Sequence, residues 1–253
     1  MQVVAVQMNI EWENKAANCA KVRSLLRAAK VAAGSLVVLP EMFATGFSMN
    51  VALTSEGKER PTEKYLHALA AEMGVTFIAG VVSDASPGKG FNEAVVIGSA
   101  GEIARYRKNQ PFVPGNEAEN YDAGNEIISF RFDGATVVPF VCYDLRFPEL
   151  IRKAAKLGAE VICVISSWPQ ARTHHWVRLL QARAIENQAY VVGVNRCGDD
   201  PSFHYAGRSI IVDHHGEILA DAGEAEGVIR AELNLKELRV YREKLPFLKD
   251  MKG

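Results

Sequence analysis

Unbroken apolar runs rich in valine and isoleucine recur along this chain: VVAVQM at 3–8, SLVVLP at 35–40, VTFIAGVVS at 75–83, ATVVPFV at 135–141, EVICVISS at 160–167 and YVVGVN at 190–195. A strand with one wet face alternates apolar and polar residues, so runs without polar interruption read as strands covered on both faces. Helix-type segments lie between them. Trp12 to Ala33 carries Ala16, Cys19, Ala20, Val22, Leu25, Leu26 and Ala29 on helical spacing, and Thr62–Met73, Pro148–Leu157, Thr173–Asn187 and a short Leu235–Tyr241 segment read likewise. Hairpins interrupt this α/β order. FNEAVVIGS and EIARYR turn through Ser99, Ala100 and Gly101, EIISFRF and ATVVPFV through Asp133-Gly134, and RSIIVD and EILADA through His214-His215-Gly216, with GVIRAEL as a last strand. The fold class is therefore α/β with mixed sheets.

A chain of 253 residues with 48% hydrophobic content can fill one large core, so one domain over 1–253 is the economical expectation. A net charge of −1 without a Lys/Arg cluster argues against nucleic acid and anionic membrane surfaces as partners. No apolar run approaches the ~20 residues of a bilayer span. The four cysteines, Cys19, Cys142, Cys163 and Cys197, have neither metal spacing nor a dense disulfide pattern, and the start of the chain shows no charged n-region followed by an apolar h-region. A cytoplasmic protein working on small molecules without a cofactor is expected.

Chemistry concentrates where apolar runs end. Cys142 follows ATVVPFV and precedes a helix start, the place where an α/β sheet presents a reactive side chain at its lip. A thiol attacks as thiolate, which calls for a base and a positive charge nearby. Glu41 in LPEMF and Lys108 in YRKNQPF, each just past an apolar run, are the candidates. Taken singly, Glu41 reads as a loop carboxylate, Lys108 as a solvated strand end, and Cys19, Cys163 and Cys197 as small core residues. The pairs His174-His175 and His214-His215 suggest a metal, but neighbouring residues diverge on a helix or strand and no carboxylate or cysteine stands at ligand spacing, so no metal is expected.

LPEMF, YRKNQPF and VCYDLRFPEL, in that order over the first 150 residues, resemble the Glu, Lys and Cys motifs of the nitrilase superfamily of carbon–nitrogen hydrolases. AVQM, RLLQARAIENQAYVVGVNRCG and GRSIIVDHHGEILADAGEAEGVIRAELNL extend the resemblance over nearly the whole chain, and FATGFSM with SSWPQARTHHW is similar to the omega-amidase branch. The resemblance implies a four-layer αββα sandwich, pairing into a homodimer or higher homo-oligomer, and hydrolysis of the terminal amide of 2-oxoglutaramate or 2-oxosuccinamate through a cysteine thioester. N-carbamoyl-amine or nitrile hydrolysis are neighbours with the same triad; a non-catalytic interaction protein on this scaffold is the alternative of another class. It also implies a supporting second carboxylate: counting back seven residues from Gly124 gives Glu117 in preference to Glu119. The Tyr143 backbone N–H would join Lys108 at the oxyanion. Phe47, Tyr121, Trp168 and His175 are candidate pocket residues; Arg146 or Arg172 is a candidate for a substrate carboxylate, and Arg146 equally for an internal salt bridge at the elbow.

Overall fold

Side-chain alternation along the first strand shows how the layers arise. In β1 (Gln2–Gln7), Val3 and Ala5 join a core that also contains the second sheet, whereas Val4 and Val6 pack with residues of the helices outside. The computed structural model describes residues 1–251. β1 pairs in parallel with β2 (Leu36–Val38) and β2 with β3 (Thr76–Asp84), and β4 (Gly90–Gly98) and β5 (Gly101–Arg107) continue antiparallel. The second sheet repeats the scheme: β6 (Phe130–Phe132) is antiparallel to β7 (Ala135–Val141), and β7, β8 (Val161–Ser166) and β9 (Tyr190–Asn195) are parallel. A two-stranded ribbon of β10 (Cys197–Asp199) and β11 (His204–Ala206) follows. β12 (Ile210–Val212) and β13 (Ile218–Asp221) complete the second sheet, and β14 (Gly227–Glu232) returns to flank β1.

Helices α1 (Lys15–Ala28) and α3 (Pro61–Met73) cover the first sheet through Val22, Leu26, Leu66 and Leu69, with the single turn α2 (Val51–Thr54) between them. After the one-turn α4 (Glu117–Asn120), α5 (Pro148–Lys156) and α6 (Thr173–Asn187) cover the second sheet through Ile151, Ala154, Trp176 and Leu180, and α7 (Leu235–Lys244) closes the order. The result is the four-layer αββα sandwich. No helix among the described residues is long and apolar enough to cross a membrane.

Local chemistry sets several boundaries differently from the periodicity. α1 starts at Lys15, not Trp12, because the Asn14 side chain accepts the Ala17 N–H as an N-cap. It stops at Ala28, before Lys30 takes a positive φ. The Asp133-Gly134 turn has φ of 45° and 76°, the paired positive values that a tight hairpin turn requires. The ribbon Cys197–Ala206 and the helical turn at 117–120 are elements that periodicity did not signal, since neither is long enough to show a period.

Candidate active site

Glu41, Lys108 and Cys142 all follow strands directly or within three residues, and the sandwich brings those strand ends together. Close packing fixes the first two. A Cβ on Gly80 would stand 2.3 Å from the Met42 N and 2.5 Å from the Glu41 Cα, and one on Gly124 would stand 2.4 Å from the Arg107 carbonyl oxygen. Both glycines therefore let backbone approach the segment that carries a site residue. Cys142 opens a short 3₁₀ turn, Cys142–Arg146, with φ of +46°. A non-glycine residue in that region is strained, and the surrounding structure has to hold it there.

Asp144 supplies the hold. Fully buried, it accepts the Val141 N–H at 3.0 Å, the Gln110 N–H at 2.9 Å and the Tyr106 hydroxyl at 2.8 Å. One carboxyl thus ties the residue before the cysteine to the segment just past Lys108. Burial pushes its pKa up to about 7, against the pull of Lys108 and these three donors. Arg146, two residues on, does not pair with it.

The charged cluster is dry and closely bonded. Lys108 Nζ donates to Glu41 Oε1 at 2.9 Å and to Glu117 Oε2 and Oε1 at 2.8 and 3.0 Å; the three side chains are at most 2% exposed. Asn92 Nδ2 donates to Glu41 Oε1 at 2.8 Å and to Glu117 Oε1 at 2.7 Å. The Ser167 N–H donates to Glu41 Oε2 at 2.8 Å, and the Phe112 N–H to Glu117 Oε2 at 2.6 Å. Glu117 is fully buried and Glu119 exposed, which separates the two carboxylates that sequence counting had to choose between.

These charges decide the state of the thiol. Burial works against the Lys108 ammonium, but Glu117 and Glu41 outweigh it and hold its pKa above the ordinary lysine value. Burial pushes the Cys142 thiol well above its usual value and the Glu41 charge adds to this, while Lys108 and the Ser166–Ser167 segment oppose it. With two carboxylates and one ammonium the cluster already carries one surplus negative charge, and a thiolate would add another in a low-dielectric space. The Cys142 thiol therefore holds its proton more tightly than an ordinary thiol, and attack requires a neighbouring group to take that proton.

Cys142 and Glu41 line one cleft. Phe47, Phe112, Tyr143, Trp168, Phe203 and Tyr205 form much of its wall. Lys108 Nζ lies 5.3 Å from the Phe47 ring centroid, and Tyr143 packs edge-on against Phe112 and Phe147. Two cations line the same space: Arg146 stacks on Trp168 at 4.6 Å, and Arg172 lies 5.6 Å from the Phe112 ring. Neither meets a carboxylate among the described residues. His175 is exposed and stands behind Arg146, its Nδ1 3.3 Å from the guanidinium; it does not line the cleft.

Sequence reasoning did not single out Asn92 or the role of Asp144, nor Phe112, Phe203 and Tyr205 as wall residues. Asn92 left a faint signal: with Glu93 it is a polar pair inside the run FNEAVVIG, and it is only 1% exposed.

The sequence profile of the carbon–nitrogen hydrolase family matches residues 2–243. The 2-oxoglutaramate amidase of Bacillus subtilis is 36% identical over 86% of this chain and 85% of its own length. An omega-amidase of Yersinia enterocolitica is 36% identical over 99% of this chain and 96% of its own. A carbon–nitrogen hydrolase superfamily protein from Xanthomonas campestris, solved with an arsenic adduct in its active site, is 32% identical, superposes with a TM-score of 0.94, and is covered to 97% by 100% of this chain.

Proposed function

The chain belongs to the carbon–nitrogen hydrolase family, within the nitrilase superfamily near its omega-amidase branch, and from that premise we propose that it hydrolyses the terminal amide of a short 2-oxo acid amide, 2-oxoglutaramate or 2-oxosuccinamate, with Cys142 as nucleophile. The observation that carries the substrate reading is the pair Arg146 and Arg172, two arginines on one cleft with no carboxylate among the described residues to meet them. Each lies against an aromatic face, a placement that holds a guanidinium while leaving its N–H groups for a ligand. A substrate with a carboxylate at the end remote from its amide satisfies them. The names and near-complete coverage of the two amidase relatives support the same substrate class.

The reaction follows from the charges. As the amide carbonyl meets Cys142, Glu41 takes the thiol proton, and the S–C bond forms while negative charge moves to the carbonyl oxygen. Lys108, fixed by Glu41 and Glu117, and the Tyr143 backbone N–H stabilise that oxyanion, and fixed donors lose little in reorganisation as charge appears. The C–N bond breaks as Glu41 returns the proton to nitrogen, so ammonia leaves and a thioester remains. Water attacks the thioester, Glu41 takes its proton, and the acid departs as sulfur is reprotonated. Glu117 and Asn92 position Lys108 and Glu41 throughout. The reading carries a cytoplasmic, homodimeric enzyme as its setting.

Initial rates of ammonia release over 2-oxoglutaramate, 2-oxosuccinamate, glutamine, asparagine, N-carbamoyl-β-alanine, an aliphatic amide and a nitrile test it. The 2-oxo amides should exceed glutamine and asparagine by orders of magnitude in kcat/KM, because an ammonium loses its water beside two arginines and finds no partner. Arg146→Met and Arg172→Met should raise KM more than they lower kcat. A tenfold or larger preference for the carbamoyl compound would overturn the substrate reading and leave the mechanism standing.

A further inference from the structure

At the β12–β13 turn, among residues that do not line the cleft, lies a second cluster able to do chemistry. His214, His215 and Glu237 offer ligand atoms that all lie within 4.8 Å of one another. The expectation that adjacent histidines diverge holds for helices and strands, but these two occupy a turn. Their rings stand side by side, 4.3 Å between centroids, and both pack on the Tyr241 ring at 4.8 and 4.5 Å. The carboxylate comes from α7, 22 residues away in sequence and so beyond the reach of any motif spacing.

His214 gives the second observation. It is 1% exposed, yet neither ring nitrogen has a hydrogen-bond partner among the described residues. Its closest ring neighbours are Tyr190, His215 and Tyr241. A buried imidazole with two unmet polar atoms costs stability unless something fills its valence.

We propose that His214, His215 and Glu237 form a site for a zinc-class divalent cation that clamps the β12–β13 turn to helix α7. Two imidazoles and a carboxylate suit that class, with water as fourth ligand. Tetrahedral ligands at ordinary zinc distances stand about 3.3 Å apart. Closing from 4.8 Å falls to the exposed His215 and Glu237 side chains, which turn without disturbing the core. The local field is mixed: Arg242 is close, but its guanidinium already donates to the Gln188, Ala159 and Asn187 carbonyl oxygens, and Asp213 and Glu237 oppose its charge.

Calorimetric titration of ZnCl₂ into chelator-stripped protein lacking a polyhistidine tag tests this. Running wild type and Cys142→Ala in parallel separates zinc captured by the cleft thiol. The Cys142→Ala protein should bind one zinc per chain with micromolar affinity, and adding His215→Ala or Glu237→Gln should each weaken it at least tenfold. Both of these side chains are exposed, so the fold should survive. At a hundredfold excess over Kd, zinc should raise Tm by roughly 5–10 °C, and this rise should vanish in His215→Ala. Absence of saturable binding below millimolar zinc, or binding that both variants leave unchanged, would overturn the proposal.

Discussion

Two buried cysteines, one inside β8 and one just past the end of the neighbouring parallel strand β7, differ in backbone and in company. Cys163 lies mid-strand in β8, opposite Pro139 of β7, and burial alone raises its thiol. Cys142 stands where β7 ends, strained at positive φ, and its thiol is likewise raised by burial, but with a carboxylate, an ammonium and the polar Ser166–Ser167 segment all acting on it. Burial and thiol pKa therefore do not mark the reactive residue. What separates the two is the hydrogen-bonded Glu41–Lys108 pair that acts on Cys142 and has no counterpart at Cys163.

Exchange of each cysteine for alanine gives the largest contrast. Cys142→Ala should lower kcat by at least about 10⁴ with the fold intact, since the nucleophile is lost and little volume with it. Cys163→Ala should keep kcat/KM within about threefold and cost roughly 1 kcal/mol of stability, because VICVIS is buried along its whole length. Steady-state ammonia release and denaturant unfolding check the pair. Comparable losses of turnover in both would erase the distinction.

Lys108→Ala should lower kcat by about 10²–10³, the usual cost of one oxyanion donor. Glu41→Gln should lower it at least as far and also reveals what Glu41 does to the thiol. Were Glu41 only a neighbouring charge, removing it would drop the Cys142 pKa and speed alkylation. As the base, its loss should slow iodoacetamide labelling of Cys142 at pH 7 and leave Cys163 unaffected. Peptide-resolved alkylation rates decide the sign, and acceleration would mean another base.

Among substitutions at the site itself, the smallest expected effect belongs to Asp144→Asn. The Gln110 and Val141 N–H groups bond different oxygens of Asp144, so the amide NH₂ replaces one of the two acceptors and leaves that N–H unmet at about 1–3 kcal/mol, with a several-fold fall in kcat as the elbow loosens. The pH dependence has a definite sign. The folded pKa of Asp144, about 7, stands above its ordinary 3.8, so the native state holds the proton more tightly than the unfolded chain. Its contribution to stability is greatest at acid pH and declines as pH rises from about 4 towards 7. The stability difference between wild type and Asp144→Asn should therefore shrink across pH 5–8, measured by urea unfolding; a difference that grows would reverse the assignment of the raised pKa.

Much of the site was legible because its residues sit at strand ends, and strand ends are visible as the close of apolar runs. Glu41, Lys108 and Cys142 could be placed in this way, and the family motifs put them in one site. Their cross-bonding was not legible. Asn92 reaches both carboxylates across 51 residues to Glu41 and 25 to Glu117, and the polar pair it forms with Glu93 says nothing of those partners. Asp144 looked like an elbow partner for Arg146, yet one turns inward to three donors and the other outward to an indole. The αββα layering came from resemblance, since apolar periodicity shows that a strand is covered but not by what. The 197–206 ribbon went unseen because its strands, CGD and HYA, form no apolar run.

Acyl transfer measures the difference in company most directly. With 2-oxoglutaramate as substrate and hydroxylamine in the buffer, a thioester on Cys142 should partition, so that hydroxamate forms alongside ammonia and acid quench leaves the acyl group on the Cys142 peptide and none on Cys163. Both signals should vanish in Cys142→Ala. Ammonia release that proceeds with no hydroxamate and no adduct on Cys142 would contradict the account.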